Sequence, residues 1–440
     1  MISDPPSVNP HQIWRIRQQQ ASSLLLYQSV WENEVGQAFL AVLQALQPPE
    51  PDLCQVLWVY GQFFQTLSAT QQSWRHYLVR QVMASDNPFT QQAQRCPLGQ
   101  LPPELLAAAR HDLTVIQHLW QWNGADLVPA VERMGGPSLP SLPSALPTED
   151  SPAMLLLPAY SDWTEALPAL AQYHCQAGCG LMAQYRVFSW QAHQLQGHPY
   201  PDQVAMDELV GYDDQRDQLI KNTEALLRGY PALNILLYGS RGAGKSAMIK
   251  ALIPLYGDRG LRLIEVQQSA LIELPQIMEQ LHSRPQKFII FVDDLSFEED
   301  EESYKALKVV LEGHVAARPS HVIVYATSNR RHLIREFSKD RPRPQDSDEI
   351  HAWDTVQEKL SLSDRFGLTL TFTPATQTTY LEMVFHLAKR ANLSLKENEL
   401  QFRALQWATR HNGRSGRTAR QLIDVLQAEL ALATDMGDLG

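Results

Sequence analysis

The chain has 440 residues, of which 44% are hydrophobic and 19% charged, a composition typical of a globular protein with two or three domains. The formal net charge of −11 and the pI near 5.7 argue against nucleic acid or a membrane surface as the default partner. Four cysteines are too few for a disulfide scaffold. No apolar run approaches the ~18 residues that span a membrane, and residues 1–14 do not resemble a signal peptide. We therefore expect a cytoplasmic protein.

Residues 1–135 have the apolar spacing of helices and are interpreted as a helical N-terminal domain. Segments 53–67, 71–84 and 103–121 show this spacing most clearly. Eight of the ten tryptophans lie before residue 200. We interpret them as the core of this helical region, with an exposed groove that recognises a protein partner as the alternative.

A segment rich in Pro, Ser and Gly follows at residues 136–152 and is predicted to be a linker. Residues 153–200 are predicted to connect it to the next domain through a helix and a strand-like stretch at 187–190. The motif HCQAGC at 174–179 could hold a metal ion. Because it lacks a second close pair of ligands, ordinary thiols are the favoured interpretation.

From residue 201 the pattern changes to strands that alternate with helices, beginning with a helix predicted from Asp207 to Leu227. Such alternation predicts a parallel sheet with crossover connections. Continuous apolar strands indicate that both faces of this sheet are covered. Five core strands are predicted, at residues 234–238, 261–266, 287–294, 321–326 and 368–372. Residues 201–373 are thus predicted to be an α/β core, and the helical pattern of 374–440 predicts a lid.

The first core strand leads into GSRGAGKS, which fits the P-loop pattern of Gly, four residues, then Gly-Lys-Ser/Thr. Glycines allow the loop to aim its N–H groups at phosphate oxygens. Lys245 is expected to reach the β- and γ-phosphates of a nucleotide, and the Ser246 hydroxyl to hold Mg²⁺. The predicted nucleotide-binding residues of this loop are Gly239, Ser240, Arg241, Gly242, Ala243, Gly244, Lys245, Ser246 and Ala247.

Further polar residues follow later strands. Asp293 and Asp294 end a strand, where Asp293 suits an anchor for Mg²⁺ and Asp294 could polarise an attacking water. Asn329 ends the next strand and could orient that water, although alone it is also typical of a turn. Arg365 precedes the last strand and could stabilise phosphoryl charge, although a surface ion pair is the alternative. Arg417 lies in the basic start of the last helix, which an anion nearby would explain.

In this order, the motifs resemble those of the AAA+ ATPases. Gly239–Ser246 matches Walker A, and Phe288–Asp294 matches Walker B. Asn329 matches sensor 1, Arg365 the arginine finger and Arg417 sensor 2, with Arg414 and Arg420 less well placed. The resemblance covers about residues 200–435. It implies a P-loop sheet with a C-terminal helical lid. Together with the apolar spacing described above, the predicted fold is a parallel five-stranded P-loop sheet with a C-terminal helical lid, preceded by a mostly helical N-terminal region.

The sequences of several segments are similar to those of one bacterial family of P-loop ATPases that carries only a domain-of-unknown-function label. These segments are NTEALL, DDLSFEEDEESYKALKVVLEG, YATSNRRHL and EKLSLSDRFGL. Residues 207–211 also resemble the AAA+ segment that packs near the adenine. The resemblance does not extend to residues 1–150. It implies ATP and Mg²⁺ as cofactors and a homo-oligomer in which Arg365 reaches the site of a neighbouring subunit.

Two departures from the AAA+ pattern shape the expected function. Walker B commonly ends in Asp-Glu, whereas here it ends in Asp293-Asp294, so we predict slow turnover. The stretch 265–273 lacks the aromatic-hydrophobic-Gly loop of protein-threading members, which argues against an unfoldase.

We therefore expect an ATPase that remodels or assembles a protein partner bound by the helical N-terminal region. A nucleotide-gated binding switch with little or no hydrolysis is the alternative. A small-molecule kinase is disfavoured by the separate arginine finger and the C-terminal lid. Nucleic acid as a partner has no support in the sequence, and no membrane partner is expected.

Overall fold

A computed structural model describes residues 10–48, 50–143, 152–202, 204–296, 302–312, 319–329, 365–411 and 413–437. The chain divides into two compact units, Met1–Gln184 and Tyr185–Gly440. Among the described residues, no helix combines the length and apolarity that crossing a bilayer requires.

The described part of the first unit is helical. Its helices are α1 Pro10–Ser22, α2 Glu34–Ala45, α3 Leu53–Ala69, α4 Trp74–Ala84, α5 Pro88–Ala93, α6 Pro103–Trp122, α7 Leu127–Arg133, α8 Pro152–Leu156, α9 Leu167–Ala177 and α10 Leu181–Gln184. Side-chain caps define where several of them begin, because a short polar side chain satisfies backbone N–H groups that have no partner within the helix. The side chain of Asn33 accepts from the N–H of Gly36, and that of Ser73 accepts from the N–H of His76.

Aromatic side chains form the centre of this unit. The ring of Trp74 lies 4.5 Å from that of Phe39, and the ring of Trp31 stacks on the ring of Trp74 at 6.3 Å. The interpretation of the tryptophans as core is confirmed for four residues of this unit: Trp14, Trp31, Trp74 and Trp163. It is wrong for Trp58, which is 69% exposed on the outer face of α3.

Part of the Pro-rich segment packs against the first unit. The hydroxyl of Tyr60 donates to the carbonyl oxygen of Pro140 at 2.5 Å, and Leu139 and Leu142 pack on the helical core. Residues 144–151, the remainder of the predicted linker apart from Pro152, lie outside the described residues. The predicted connector 153–200 is divided between the two units, because its helices belong to the first unit and its strand to the second.

The residues of the HCQAGC motif have different environments. Cys175 is exposed, whereas Cys179 is buried and accepts from the side-chain amide of Gln94 at 3.2 Å. His174 is buried, and its Nδ1 lies 2.9 Å from the carbonyl oxygen of Gly178. Burial lowers the pKa of His174 to about 4.

His174 should make the stability of the first unit depend on pH. An unfolded histidine titrates near pH 6.5, so between pH 6.5 and 4 the unfolded chain binds a proton that the folded chain excludes. The contribution of neutral His174 to the free energy of unfolding is complete above pH 6.5 and is lost as the pH falls towards 4. We expect the free energy of unfolding to drop by about 3 kcal/mol from this group. Urea unfolding followed by tryptophan fluorescence at several pH values measures the effect.

The variant His174→Gln should lose this part of the pH dependence, whereas His118→Gln, which replaces an exposed histidine of the same unit, should retain it. Equal pH slopes in the wild type and in His174→Gln would contradict the assignment.

The second unit contains a seven-stranded sheet with the order β2-β1-β4-β5-β6-β3-β7. Its strands are β1 Val187–Gln191, β2 Gln194–Gly197, β3 Ile235–Gly239, β4 Leu261–Glu265, β5 Lys287–Val292, β6 Val322–Ser328 and β7 Leu368–Phe372. Every neighbouring pair is parallel except the hairpin of β1 and β2. The central strands β5 and β6 are buried along almost their whole length, as expected for a sheet with both faces covered.

Helices cover this sheet and form the C-terminal lid. The helices beside the sheet are α11 Asp213–Leu227, α12 Lys245–Lys250, α13 Leu252–Tyr256, α14 Leu274–His282 and α15 Glu302–Glu312. The lid consists of α16 Gln377–Arg390, α17 Glu397–Arg410 and α18 Gly416–Gly437. The predicted fold class, a parallel P-loop sheet with a helical lid after a helical N-terminal region, is confirmed.

The predicted number of five strands is wrong, because β1 and β2 extend the sheet to seven. Strand β1, which includes the strand-like stretch 187–190, pairs in parallel with β4. It turns into β2 through Ala192 and His193, whose φ angles of 48° and 61° are those of a tight hairpin turn. Ala-His lacks the Asn-Gly signal of such turns, so the hairpin could not be predicted from the sequence.

The first helix of the second unit begins later than predicted. Helix α11 begins at Asp213 instead of Asp207, and only a short 3₁₀ turn occupies Met206–Glu208. Gly211 separates the two with a φ of 92°, and a Cβ there would lie 2.4 Å from Cγ2 of Thr379 in the lid. The segment before α11 is therefore shaped by its contact with the lid, which local helical spacing does not reveal.

Candidate nucleotide-binding site

A cavity of about 560 Å³ lies at the carboxyl ends of β3, β5 and β6. The P-loop follows β3, Asp293 and Asp294 follow β5, and Asn329 follows β6. The lid closes the other side of the cavity with side chains of α16 and α18. In open parallel sheets, ligands bind in the crevice outside the carboxyl ends of the strands, so this cavity is the candidate site.

The P-loop has the backbone conformation that its glycines predict. Gly239, Gly242 and Gly244 have φ angles of 137°, 75° and 88°, which residues with a Cβ rarely adopt. The N–H of Ser240 donates to the carbonyl oxygen of Phe372 at the end of β7, which fixes the start of the loop. Helix α12 then begins at Lys245 with its N-terminal N–H groups beside the cavity, where the helix dipole favours an anion.

The Lys245 ammonium is held at the phosphate-facing side of the loop. It donates to the carbonyl oxygens of Gly239 at 2.9 Å and Ser240 at 2.8 Å, and to Oδ1 of Asn329 at 3.1 Å. Burial lowers the pKa of Lys245, whereas the carboxylates of Asp294 and Asp293 raise it. Its amine is therefore oriented by three acceptors and faces two acids, the arrangement of a lysine that recognises charged phosphate oxygens.

One carboxylate oxygen of Asp293 accepts three hydrogen bonds. Its Oδ1 accepts from the hydroxyls of Ser246 at 2.6 Å and Thr327 at 2.5 Å, and from the N–H of Asp294 at 3.1 Å. Hydroxyl and carboxylate oxygens are the ligands that Mg²⁺ prefers. The chemistry of this group therefore fits Mg²⁺, with Ser246 and Asp293 as the residues that would hold it.

Asp294 is linked to the P-loop lysine through Asn329. The Nδ2 of Asn329 donates to Oδ1 of Asp294 at 2.6 Å, while its Oδ1 accepts from Lys245. The backbone of Asp294 has a φ of 49°, a left-handed conformation that Asp and Asn tolerate better than most residues. Asn329 thus bridges the Walker B acid and the Walker A lysine.

The three candidate arginines of the lid occupy different positions. Arg417 lines the cavity, and its N–H donates to the carbonyl oxygen of Gly242 at 3.2 Å. In the described part of the chain, its guanidinium has no hydrogen-bonding or ion-pair partner. Arg420 also lines the cavity but pairs with Glu208. Arg414 does not line it and donates to Gln377 at 3.4 Å.

The cavity also has an apolar wall. The hydroxyl of Tyr212 donates to the carbonyl oxygen of Thr373, and its ring packs 4.9 Å from that of Phe372, which fixes this wall. Apolar walls with a polar end suit a ligand that has a flat base and a charged tail. The apolar residues of this wall are Val204, Leu209, Val210, Tyr212, Met383 and Leu387.

Most of the predicted site residues lie together around this cavity. Those that line it are Arg241, Gly242, Ala243, Gly244, Lys245, Ser246, Ala247, Asp293, Asp294, Asn329 and Arg417. Gly239 and Ser240 lie behind them and hold Lys245 through their carbonyl oxygens. Arg365 is not among them, because it precedes the amino end of β7, at the opposite edge of the sheet.

Polar residues that were not predicted from the sequence also line the cavity. Thr327 lines the cavity and donates to Asp293, and Glu208 lines it and pairs with Arg420. The polar end of the otherwise apolar strand β6 was the available signal for Thr327. Nothing in the local sequence marks Glu208, because its partner is 212 residues away along the chain.

The variant Gly239→Ala should destabilise the second unit. A Cβ at this position would lie 2.0 Å from the carbonyl oxygen of Phe372, and the φ of 137° is strained for alanine. Clash and strain together should cost about 3 kcal/mol of unfolding free energy. Gly229→Ala is the matched control, because its φ is also positive at 77° but nothing lies within 4 Å. It should cost only about 1 kcal/mol. Denaturant titrations followed by circular dichroism measure both, and equal losses would refute the clash.

Comparisons with known proteins show several similarities. Residues 183–430 match the family described as Protein of unknown function (DUF815). The comparison with curated proteins found no match. Among solved structures, the chain is similar to a Thermotoga maritima RuvB Holliday junction branch migration motor, with 16% identity and a TM-score of 0.37. That similarity covers 52% of this chain and 66% of that one, just under two thirds of its length.

A mutant of the same RuvB matches with 16% identity and a TM-score of 0.37 over 52% of this chain and 67% of that chain. At these scores the similarity says nothing about what this chain acts on. The family match spans more than half of the chain and includes both the P-loop sheet and the lid. The chain therefore belongs to the DUF815 family.

Proposed function

We propose that the chain binds ATP with Mg²⁺ between the sheet and the lid and hydrolyses it slowly to drive the remodelling or assembly of a protein partner. The observation that carries this proposal is the convergence of Lys245, Asp293, Asp294 and Asn329 on one cavity. These residues supply a cation, two acids and an amide for the phosphates, while apolar side chains line other parts of the cavity.

Each group at the phosphate end has a role in this proposal. Lys245 and the N–H groups of the P-loop bind the β- and γ-phosphates. Mg²⁺, held by Ser246 and Asp293, would neutralise charge that develops on the phosphates. Asp294 accepts a hydrogen bond from the attacking water, and Asn329 holds the carboxylate of Asp294 in place. Arg417 reaches the phosphates from the lid, so closure of the lid depends on the nucleotide.

Slow turnover is supported by the hydrogen bond between Asn329 and Asp294. This bond occupies one oxygen of a carboxylate that is already one methylene shorter than glutamate. The amide of Asn329 therefore competes with the attacking water for this carboxylate. The same observation favours the second candidate function, a nucleotide-gated switch that binds ATP and hydrolyses almost none.

The partner and the assembly are also part of the proposal. Arg365 completes the site of a neighbouring copy, which makes the active form a homo-oligomer. The helical first unit, with Trp58 exposed, recognises the protein partner. The cytoplasmic location, and the absence of nucleic acid and membrane among the partners, remain predictions from the sequence.

The variant Asp294→Asn separates the two candidate functions. Asparagine retains the size and tolerates the left-handed backbone at this position, but it cannot accept a proton from water. We expect ATP binding within about two-fold of the wild type and a turnover lowered by about 100-fold. Wild-type turnover should be well below the ~10 s⁻¹ typical of enzymes, and it should rise with protein concentration.

Two measurements test these expectations, namely calorimetric ATP binding and the steady-state release of phosphate. If the wild type binds ATP but its phosphate release equals that of Asp294→Asn at every concentration, the switch is the correct function. If neither protein binds ATP, both candidate functions are wrong.

A further inference from the structure

Two carboxylates before α11 face two arginines of the lid. Glu208 pairs with Arg420, and its other oxygen lies 3.3 Å from Arg390. Asp207 pairs with Arg390. Arg390 ends the first lid helix and Arg420 lies near the start of the last one, so one short segment contacts both helices. The side chain of Glu208 is 17% exposed, whereas that of Asp207 is 70% exposed.

Only one of the two carboxylates belongs to the nucleotide cavity. Glu208 and Arg420 both line it, together with Arg417 and the P-loop, whereas Asp207 does not. Glu208 therefore places a negative charge in the wall of a cavity proposed to bind a polyanion. Its pairing with Arg420 neutralises that charge and at the same time withdraws one guanidinium from any phosphate.

We infer that Glu208 is a positioning residue that lowers ATP affinity by engaging Arg420, so that nucleotide phosphates and Glu208 compete for the same guanidinium. This inference rests on the proposed function. Phosphate that attracts Arg420 weakens the pair between α18 and the segment before α11. Binding at the cavity is thereby coupled to the chain segment between β2 and α11.

The test is the affinity of a non-hydrolysable ATP analogue for Glu208→Gln, measured by calorimetry with Mg²⁺. The substitution removes the negative charge and frees Arg420, so we expect binding about three- to five-fold tighter than in the wild type, as for one partly screened charge interaction. A purely structural role would give the opposite sign, because a loosened lid binds more weakly. The matched control is Asp207→Asn, which removes a carboxylate from Arg390 but not from Arg420 and should leave the affinity unchanged.

A double mutant identifies the arginine through which Glu208 acts. In an Arg420→Gln background, Glu208→Gln should lose most of its effect, because the competition no longer exists. Unchanged or weaker binding in Glu208→Gln, or an equal gain in Asp207→Asn, would overturn the inference and leave the proposed function standing. A wild type that does not bind the analogue at all would overturn both.

Discussion

The variant Lys245→Ala should weaken ATP binding by about 30-fold or more and abolish hydrolysis, because removing one member of a desolvated charge group costs about 2–5 kcal/mol or more. Lys245 is buried and lies among two acids and three hydrogen-bond acceptors. Without its charge, the carboxylates of Asp293 and Asp294 would repel the β- and γ-phosphates. The variant therefore loses the attraction between the lysine and the phosphates, and the repulsion between the carboxylates and the phosphates is no longer compensated.

Calorimetric binding and phosphate release measure both effects, and Lys221→Ala is the control. Lys221 is an exposed lysine of α11 in the same unit and does not line the cavity. The Lys221→Ala variant should bind and hydrolyse ATP as the wild type does. Thermal unfolding distinguishes a lost ligand from a lost fold, because the melting temperature of folded Lys245→Ala should not respond to ATP. Tight ATP binding by a folded Lys245→Ala protein would show that the P-loop is not the phosphate site.

The parts of the fold that depend on neighbouring residues could be predicted from the sequence. The strand predicted at 234–238 is observed at Ile235–Gly239, and the predicted helix 103–121 is observed at Pro103–Trp122. Apolar spacing and glycine positions determine such elements within a few residues. The P-loop pattern also predicts which strand ends line a shared cavity, because parallel strands bring their carboxyl ends to one edge.

The parts that depend on distant residues could not be predicted in this way. The hairpin of β1 and β2 uses Ala192 and His193, which carry no turn signal, and its place in the sheet depends on pairing with β4. The late start of α11 depends on the contact of Gly211 with Thr379. The role of Glu208 depends on arginines about two hundred residues away. The contacts of Gly211 and Glu208 exist only after the lid has packed on the core.

Arg365 should act on the nucleotide of a neighbouring subunit, so two inactive variants should restore each other. Arg365 precedes β7, whose first residue Leu368 pairs with Ile235, whereas the P-loop follows Gly239 at the other end of β3. A strand of five residues is about 16 Å long, so the guanidinium cannot reach the phosphates of its own chain. Arg365→Ala alone should therefore bind ATP normally and hydrolyse almost none.

Mixing Arg365→Ala with Lys245→Ala tests this arrangement directly. In a mixed oligomer, a site works when a chain that has Lys245 meets a neighbour that has Arg365. Random equal mixing of a closed ring makes about a quarter of the sites complete, so phosphate release per chain should recover to about that fraction of the wild type. The doubly substituted chain mixed with Lys245→Ala is the control and should recover nothing, because neither chain then binds ATP. If the mixture stays inactive although Arg365→Ala and Lys245→Ala co-assemble, Arg365 does not complete a shared site, and its loss acts within one chain.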